Sequence, residues 1–199
     1  QDHRFIKMIR DFKEQYPNYE FDILDRSDRE VMQYVLDCPS HLGLIIEPEH
    51  WHGRQTQFTL IRTYRLQLCV HKDRPLSKRK SVRFGELENE KFLLLDEQSY
   101  YPQIVKDKAA EYGFEPNIAF RSADHHLLTS LANQNKGILI NIPVPMTDLF
   151  KDLRFVPIED EDMTFSIAFI YQDYEKLDKP QQRFVEFMRE FERQDVYAP

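Results

Sequence analysis

Residues 111–143, EYGFEPNIAFRSADHHLLTSLANQNKGILINIP, set two short apolar runs around one helix-length segment. Gly113 ends what precedes. NIAFR is the first run, Ser122-Ala123-Asp124 opens the helix, and Gly137 leads into ILINI, which stops at Pro143. Apolar strand, capped helix and apolar strand this close together are the signature of a crossover between strands of one sheet, which reads as an α/β fold. A Ser-x-Asp step at a helix start supplies side-chain oxygens for the unpaired N–H groups of the first turn.

The alternation recurs along the chain. Phe5, Met8, Ile9 and Phe12 fall at i, i+3, i+4, i+7 and predict a helix over 5–16, stopped by Tyr16-Pro17. YEFDILD at 19–25 alternates like a strand. Ser27 caps a helix carrying Val31, Met32, Val35 and Leu36, and LGLII at 42–46 reads as a buried strand. No complete strand precedes the first helix. YRLQLCV at 64–70, FLLLD at 92–96 and MTFSIAFIY at 163–171 read as further strands, with helices ended by Gly113 and begun by Asp178-Lys179-Pro180. The expected architecture is two Rossmann-like lobes joined by two crossover segments near 64–68 and 163–168. Lobe I comprises 1–66 plus 167–199 and lobe II comprises 67–166.

Composition narrows the function. The 199 residues carry 27 basic and 34 acidic side chains, a net charge of −7, and a surface of that sign repels a phosphate backbone. The basic stretch HKDRPLSKRKSVR at 71–83 reads as a solvated loop. No apolar run reaches membrane-spanning length, and no basic start followed by an apolar core marks a signal peptide. Cys38 and Cys69 form no CxxC pattern and read as buried free thiols of a reducing cytoplasm, so neither a disulfide nor a metal or cofactor site is expected.

The candidate site comes from the strand ends. In an open α/β sheet the strand C-termini and helix N-termini share one edge, where ligands bind. On that edge the sequence places Ser27, Glu47, Ser99, Tyr100, Ser122 and Asp124. Hydroxyls there can donate or accept, and helix N-termini favour anions. Each of these residues equally serves as a helix cap, and that alternative stays open. Arg26, Arg62 and Arg121 favour an anionic ligand, whereas Glu47 and Asp124 oppose one. His50-Trp51-His52 reads as an exposed loop. His125 and His126 point about 100° apart on one helix, so one of them faces the strand-end edge. Asp124 with Glu47 could serve as an acid/base pair, but no nucleophile elbow, glycine-rich phosphate loop or zinc spacing accompanies them.

Five segments in order resemble the effector-binding domain of LysR-type transcriptional regulators, of the periplasmic-binding-protein type 2-like fold. They are FIKMIRDFKEQYPNYEFDI, VLDCPSHLGLII, YRLQLCVHKDRPLSKRKSVRFGEL, the GFEPNIAFRSAD step and GILINIP. The chain departs from the pattern at NQNKG, which keeps only Gly137, and at DCPSHLGL. The family's first strand and winged helix-turn-helix domain have no counterpart in these residues. The resemblance implies a cytoplasmic regulator, not an enzyme, that binds an unidentified small-molecule effector between its lobes. It also implies a homodimer through a helix and strand edge of each lobe, with a tetramer open for the full-length protein, and DNA contact only through the N-terminal domain. Rival readings are a transporter's solute-binding protein and an enzyme on the same scaffold.

Overall fold

The computed structural model describes residues 3–47, 55–97, 99–142 and 150–195, with side chains over 6–191 of these. The chain forms two compact units, 1–63 with 166–199 and 64–165. It passes between them at 63/64 and 165/166.

In the first unit, α1 (His3–Gln15), α2 (Asp28–Asp37) and α5 (Lys179–Asp195) accompany β1 (Gly43–Ile46), β2 (Gln57–Arg65) and β8 (Thr164–Tyr171). The sheet order is β1-β8-β2, with β1 antiparallel to β8. Period two along β8 sorts its side chains between two layers. Phe169 and Tyr171 pack with Met8 and Phe12 of α1 and Phe184, Val185 and Met188 of α5, while Ile170 packs with Met32 and Val35 of α2 and Ile45 of β1. A Cβ on Gly43 would stand 2.5 Å from the Val31 side chain, so glycine is what lets β1 approach α2.

The second unit holds β3 (Gln67–His71), β4 (Lys91–Leu95), α3 (Tyr101–Glu111), β5 (Asn117–Ser122), α4 (His125–Asn133), β6 (Leu139–Asn141) and β7 (Leu153–Pro157). β5 pairs with β4 in parallel, and β6 and β7 flank β3 antiparallel. Leu93 N–H donates to Ile138 O at 2.9 Å and Ile138 N–H to Lys91 O at 2.8 Å, which sets β6 beside β4 and running the same way. Asn135, at φ 59°, takes the left-handed turn after α4, two residues before the one glycine of NQNKG, and its Oδ1 accepts from Arg74 Nε at 2.6 Å.

Several expectations need correction. YEFDILD forms no strand: Tyr19 and Phe21 settle on Phe12, and among the described residues no strand takes its backbone groups, leaving Ile23 61% and Leu24 50% exposed. Stretch 64–70 is not one strand, since β2 begins at Gln57 and β3 at Gln67, with Leu66 N–H donating to Met163 O between them. LGLII, a continuous apolar run of the kind that buried parallel strands show, pairs antiparallel, because its neighbour is the returning β8. β7, at Leu153–Pro157, is a strand that the sequence reading did not name. Cys38 is half-buried rather than buried, while burial pushes the Cys69 thiol up to about 12. His50-Trp51-His52 and Pro143 lie outside the described residues.

Candidate functional site

β4, β5 and β6 run the same way, so their C-terminal turns share one edge of the second unit. Asp96 N–H donates to Ser122 O at 3.2 Å and ties the first two turns together. At the β4 turn the Ser99 hydroxyl accepts from Tyr101 N–H at 3.3 Å, Pro102 has no N–H to offer, and Gln103 N–H donates to Tyr100 O at 3.0 Å. The α3 N-terminus is therefore closed by its own turn. Tyr101 is 8% exposed and edge-on to Phe165, and its hydroxyl has no partner among the described residues. Tyr100 is half-buried beside it.

At the β5 turn the Ser122 hydroxyl accepts from Asp124 N–H at 3.0 Å. The Asp124 carboxylate accepts from His126 N–H at 2.8 Å and Leu127 N–H at 3.1 Å, so an anion already sits on the α4 N-terminus. Glu97, just past β4, accepts from Lys106 Nζ at 2.7 Å and Arg121 at 3.4 Å, and these bonds hold its carboxyl below the usual range. At the β6 end Asn141 is buried and its amide meets the His125 ring at 2.9 Å.

The other two candidates belong to the first unit. The Ser27 hydroxyl donates to Glu30 Oε2 at 2.7 Å while Ser27 N–H donates to the same carboxylate at 3.0 Å, a capping box that starts α2. Glu47 closes β1 with a left-handed φ of 46°. Its carboxylate accepts from Ser166 N–H at 2.6 Å and its own N–H donates to Ser166 O at 2.8 Å. The Ser166 hydroxyl in turn meets that of Thr63 at 2.9 Å, where the two crossing segments lie side by side.

Four of the six sequence-derived candidates, Ser99, Tyr100, Ser122 and Asp124, thus share one edge in the second unit, and Ser27 and Glu47 lie in the first. The three hydroxyls, Asp124 and Glu47 all make local backbone or capping bonds. Sequence reasoning passed over Glu97, Lys106 and Asn141. A polar residue ending the apolar run GILIN was the available signal for Asn141. Among the described residues no group of three or more His, Cys, Asp or Glu could hold a metal ion. Among the described residues no helix is long and apolar enough to cross a membrane.

The family described as LysR substrate binding domain matches residues 1–193. The chain belongs to this family. As a LysR substrate-binding domain it is similar to the transcriptional dual regulator GltC of Bacillus subtilis, at 23% identity over 188 residues, which are 92% of this chain and 61% of that protein. The chain spans about half the length of the curated relatives it matches. Among solved structures, the effector-binding domain of QuiR in complex with shikimate matches at TM-score 0.80 and 13% identity, covering 96% of this chain and 91% of that one. The BenM effector-binding domain with its effector benzoate matches at TM-score 0.73 and 20% identity, covering 96% and 85%. These likenesses fix the fold as that of LysR-type effector-binding domains, of the periplasmic-binding-protein-like type 2 class.

Proposed function

We propose that this domain senses a small polar metabolite and that its occupancy controls DNA binding and transcription by a longer, cytoplasmic LysR-type regulator. The observation that carries the reading is the family match over residues 1–193. Two solved relatives of the same fold hold shikimate and benzoate, both cyclic monocarboxylates, which makes small carboxylates the first class to test. The residues proposed to read the metabolite are Ser99, Tyr100, Ser122 and Asp124 of the second unit and Ser27 and Glu47 of the first. Every one of them ends a strand or starts a helix, the edge that α/β folds use for ligands. Binding favours one arrangement of the chain over another only by differential affinity for the two. Catalysis is no part of the reading: Asp124 and Glu47, the acid/base candidates, each accept backbone N–H bonds and lie in different units.

The test is a thermal-shift screen of small carboxylates, shikimate and benzoate included, followed by titration of any hit. Replacing Ser99 and Ser122 together with alanine is expected to weaken that hit about 10- to 100-fold, the worth of one or two hydrogen bonds to a charged group. An unchanged affinity would remove the two serines from the site.

Homodimerisation is part of the same proposal. Its support is an exposed apolar edge on each unit: Ile23 and Leu24 on the unpaired segment of the first, and Phe120, 46% exposed, on the outer strand β5 of the second. Sedimentation at micromolar concentration is expected to give twice the 24.0 kDa chain mass, and a monomer there would refute it.

A further inference from the structure

One chain of hydrogen bonds in the second unit has its direction set at every link. Ile142 N–H donates to Asn141 Oδ1 at 2.8 Å, which turns the Asn141 Nδ2 group toward His125. That NH₂ lies 2.9 Å from His125 Nε2, and since an amide nitrogen only donates, Nε2 must offer its lone pair. The remaining proton then sits on Nδ1, facing Thr129 Oγ1 at 3.5 Å. Thr129 in turn donates its own hydroxyl proton to His125 O at 2.8 Å, leaving an oxygen lone pair toward the ring. The chain runs from β6 to the first turn of α4 and works in only one protonation state. An imidazolium would set N–H against N–H at 2.9 Å.

We propose that His125 is a positioning residue that fixes the start of α4, and with it the Ser122–Asp124 turn, only while its imidazole is neutral. Acid then loosens the turn by cutting its link to β6. The consequence for effector reading rests on the proposed function; the switch itself does not. Among the described residues the charged groups acting on the ring are Asp124, which favours protonation, and His126, which opposes it, while β6 presents the uncharged Asn141. Desolvation of the ring, ahead of these, lowers its pKa from the ordinary 6.5. The sign follows: a depressed folded-state value means the link is whole above about 6.5 and is lost as pH falls through the folded-state value.

The test uses the 199-residue chain labelled with ¹⁵N, titrated from pH 8 to pH 5 by long-range imidazole correlation and amide exchange, with no ligand present. The wild-type ring is expected to be neutral at pH 8 with its proton on Nδ1 and to titrate below 6.5. Asn141→Asp, which puts an acceptor opposite Nε2, should raise that midpoint. Protection factors of the first-turn amides of α4 should fall several-fold through the midpoint, at most about tenfold, the worth of one neutral hydrogen bond. His125→Gln supplies an amide oxygen to accept from Asn141 but cannot be protonated, so its protection should stay flat with pH. A proton on Nε2, a midpoint at or above 6.5, or wild-type protection as flat as that of His125→Gln would each overturn the proposal. A screen that finds no effector would overturn the sensing function alone and leave these readouts untouched.

Discussion

Replacing Phe12 with alanine is expected to destabilise the first unit by about 3–5 kcal/mol, the largest single-residue loss we anticipate, because it combines lost burial with a cavity that aromatic neighbours cannot close. Phe12 is 1% exposed at the centre of a ring cluster. Its ring centroid lies 5.1 Å from Phe184, 5.2 Å from Phe187, 4.8 Å from Tyr16 and 5.6 Å from both Tyr19 and Phe21. The edge-on geometry with Phe184 and Phe187 adds to the burial energy. The same ring joins α1 to α5, which meet from opposite ends of the sequence, and it holds the unpaired 19–25 segment in place. Urea unfolding followed by far-ultraviolet dichroism measures the loss, and amide exchange should show it in α1 and α5 before β4. A loss under 1 kcal/mol would mean that these helices do not share a core.

Gly137→Val is expected to cost about 1–3 kcal/mol or more, concentrated in the second unit. A Cβ at this position would stand 2.6 Å from the Lys91 carbonyl oxygen and 2.8 Å from the Leu93 side chain. Backbone cannot yield as a side-chain tip can, so the strain falls on the two hydrogen bonds through which Ile138 joins β6 to β4. These bonds bridge the β4–β5 pair to the β6–β3–β7 sheet. Amide exchange at Leu93 and Ile138 reports the damage, and unchanged protection there would refute the close approach.

Much of the fold was legible because periodicity and caps are local. The i, i+3, i+4, i+7 stripe of α1, the Ser27 cap, the Asp178-Lys179-Pro180 start of α5, Gly113 at the end of α3 and the strands β4 and β5 follow from neighbouring residues alone. Pairing is not local. YEFDILD has the alternation of a strand, yet Tyr19 and Phe21 find aromatic partners and its backbone finds no described strand. β2 escaped notice because no clean period runs through QFTLIRTYR, whose exposure alternates irregularly, and β7 because LRFVP is short. At the site, the serines and Asp124 were visible through their position before helices. What each hydroxyl bonds was not, since Ser-x-Asp reads the same for a cap and for a ligand group. The His125–Asn141 pair joins residues on different elements, and no local pattern announces it.

The most direct test of the sensing function is amide chemical-shift mapping of a screened carboxylate hit on the ¹⁵N-labelled chain. The account predicts that saturable shifts cluster at Asp96–Tyr101, Ser122–His126 and Asn141 in the second unit and at Ser27 and Glu47 in the first. Shifts confined to the outer faces of α1 and α5, or no saturable shift with any small carboxylate, would contradict it.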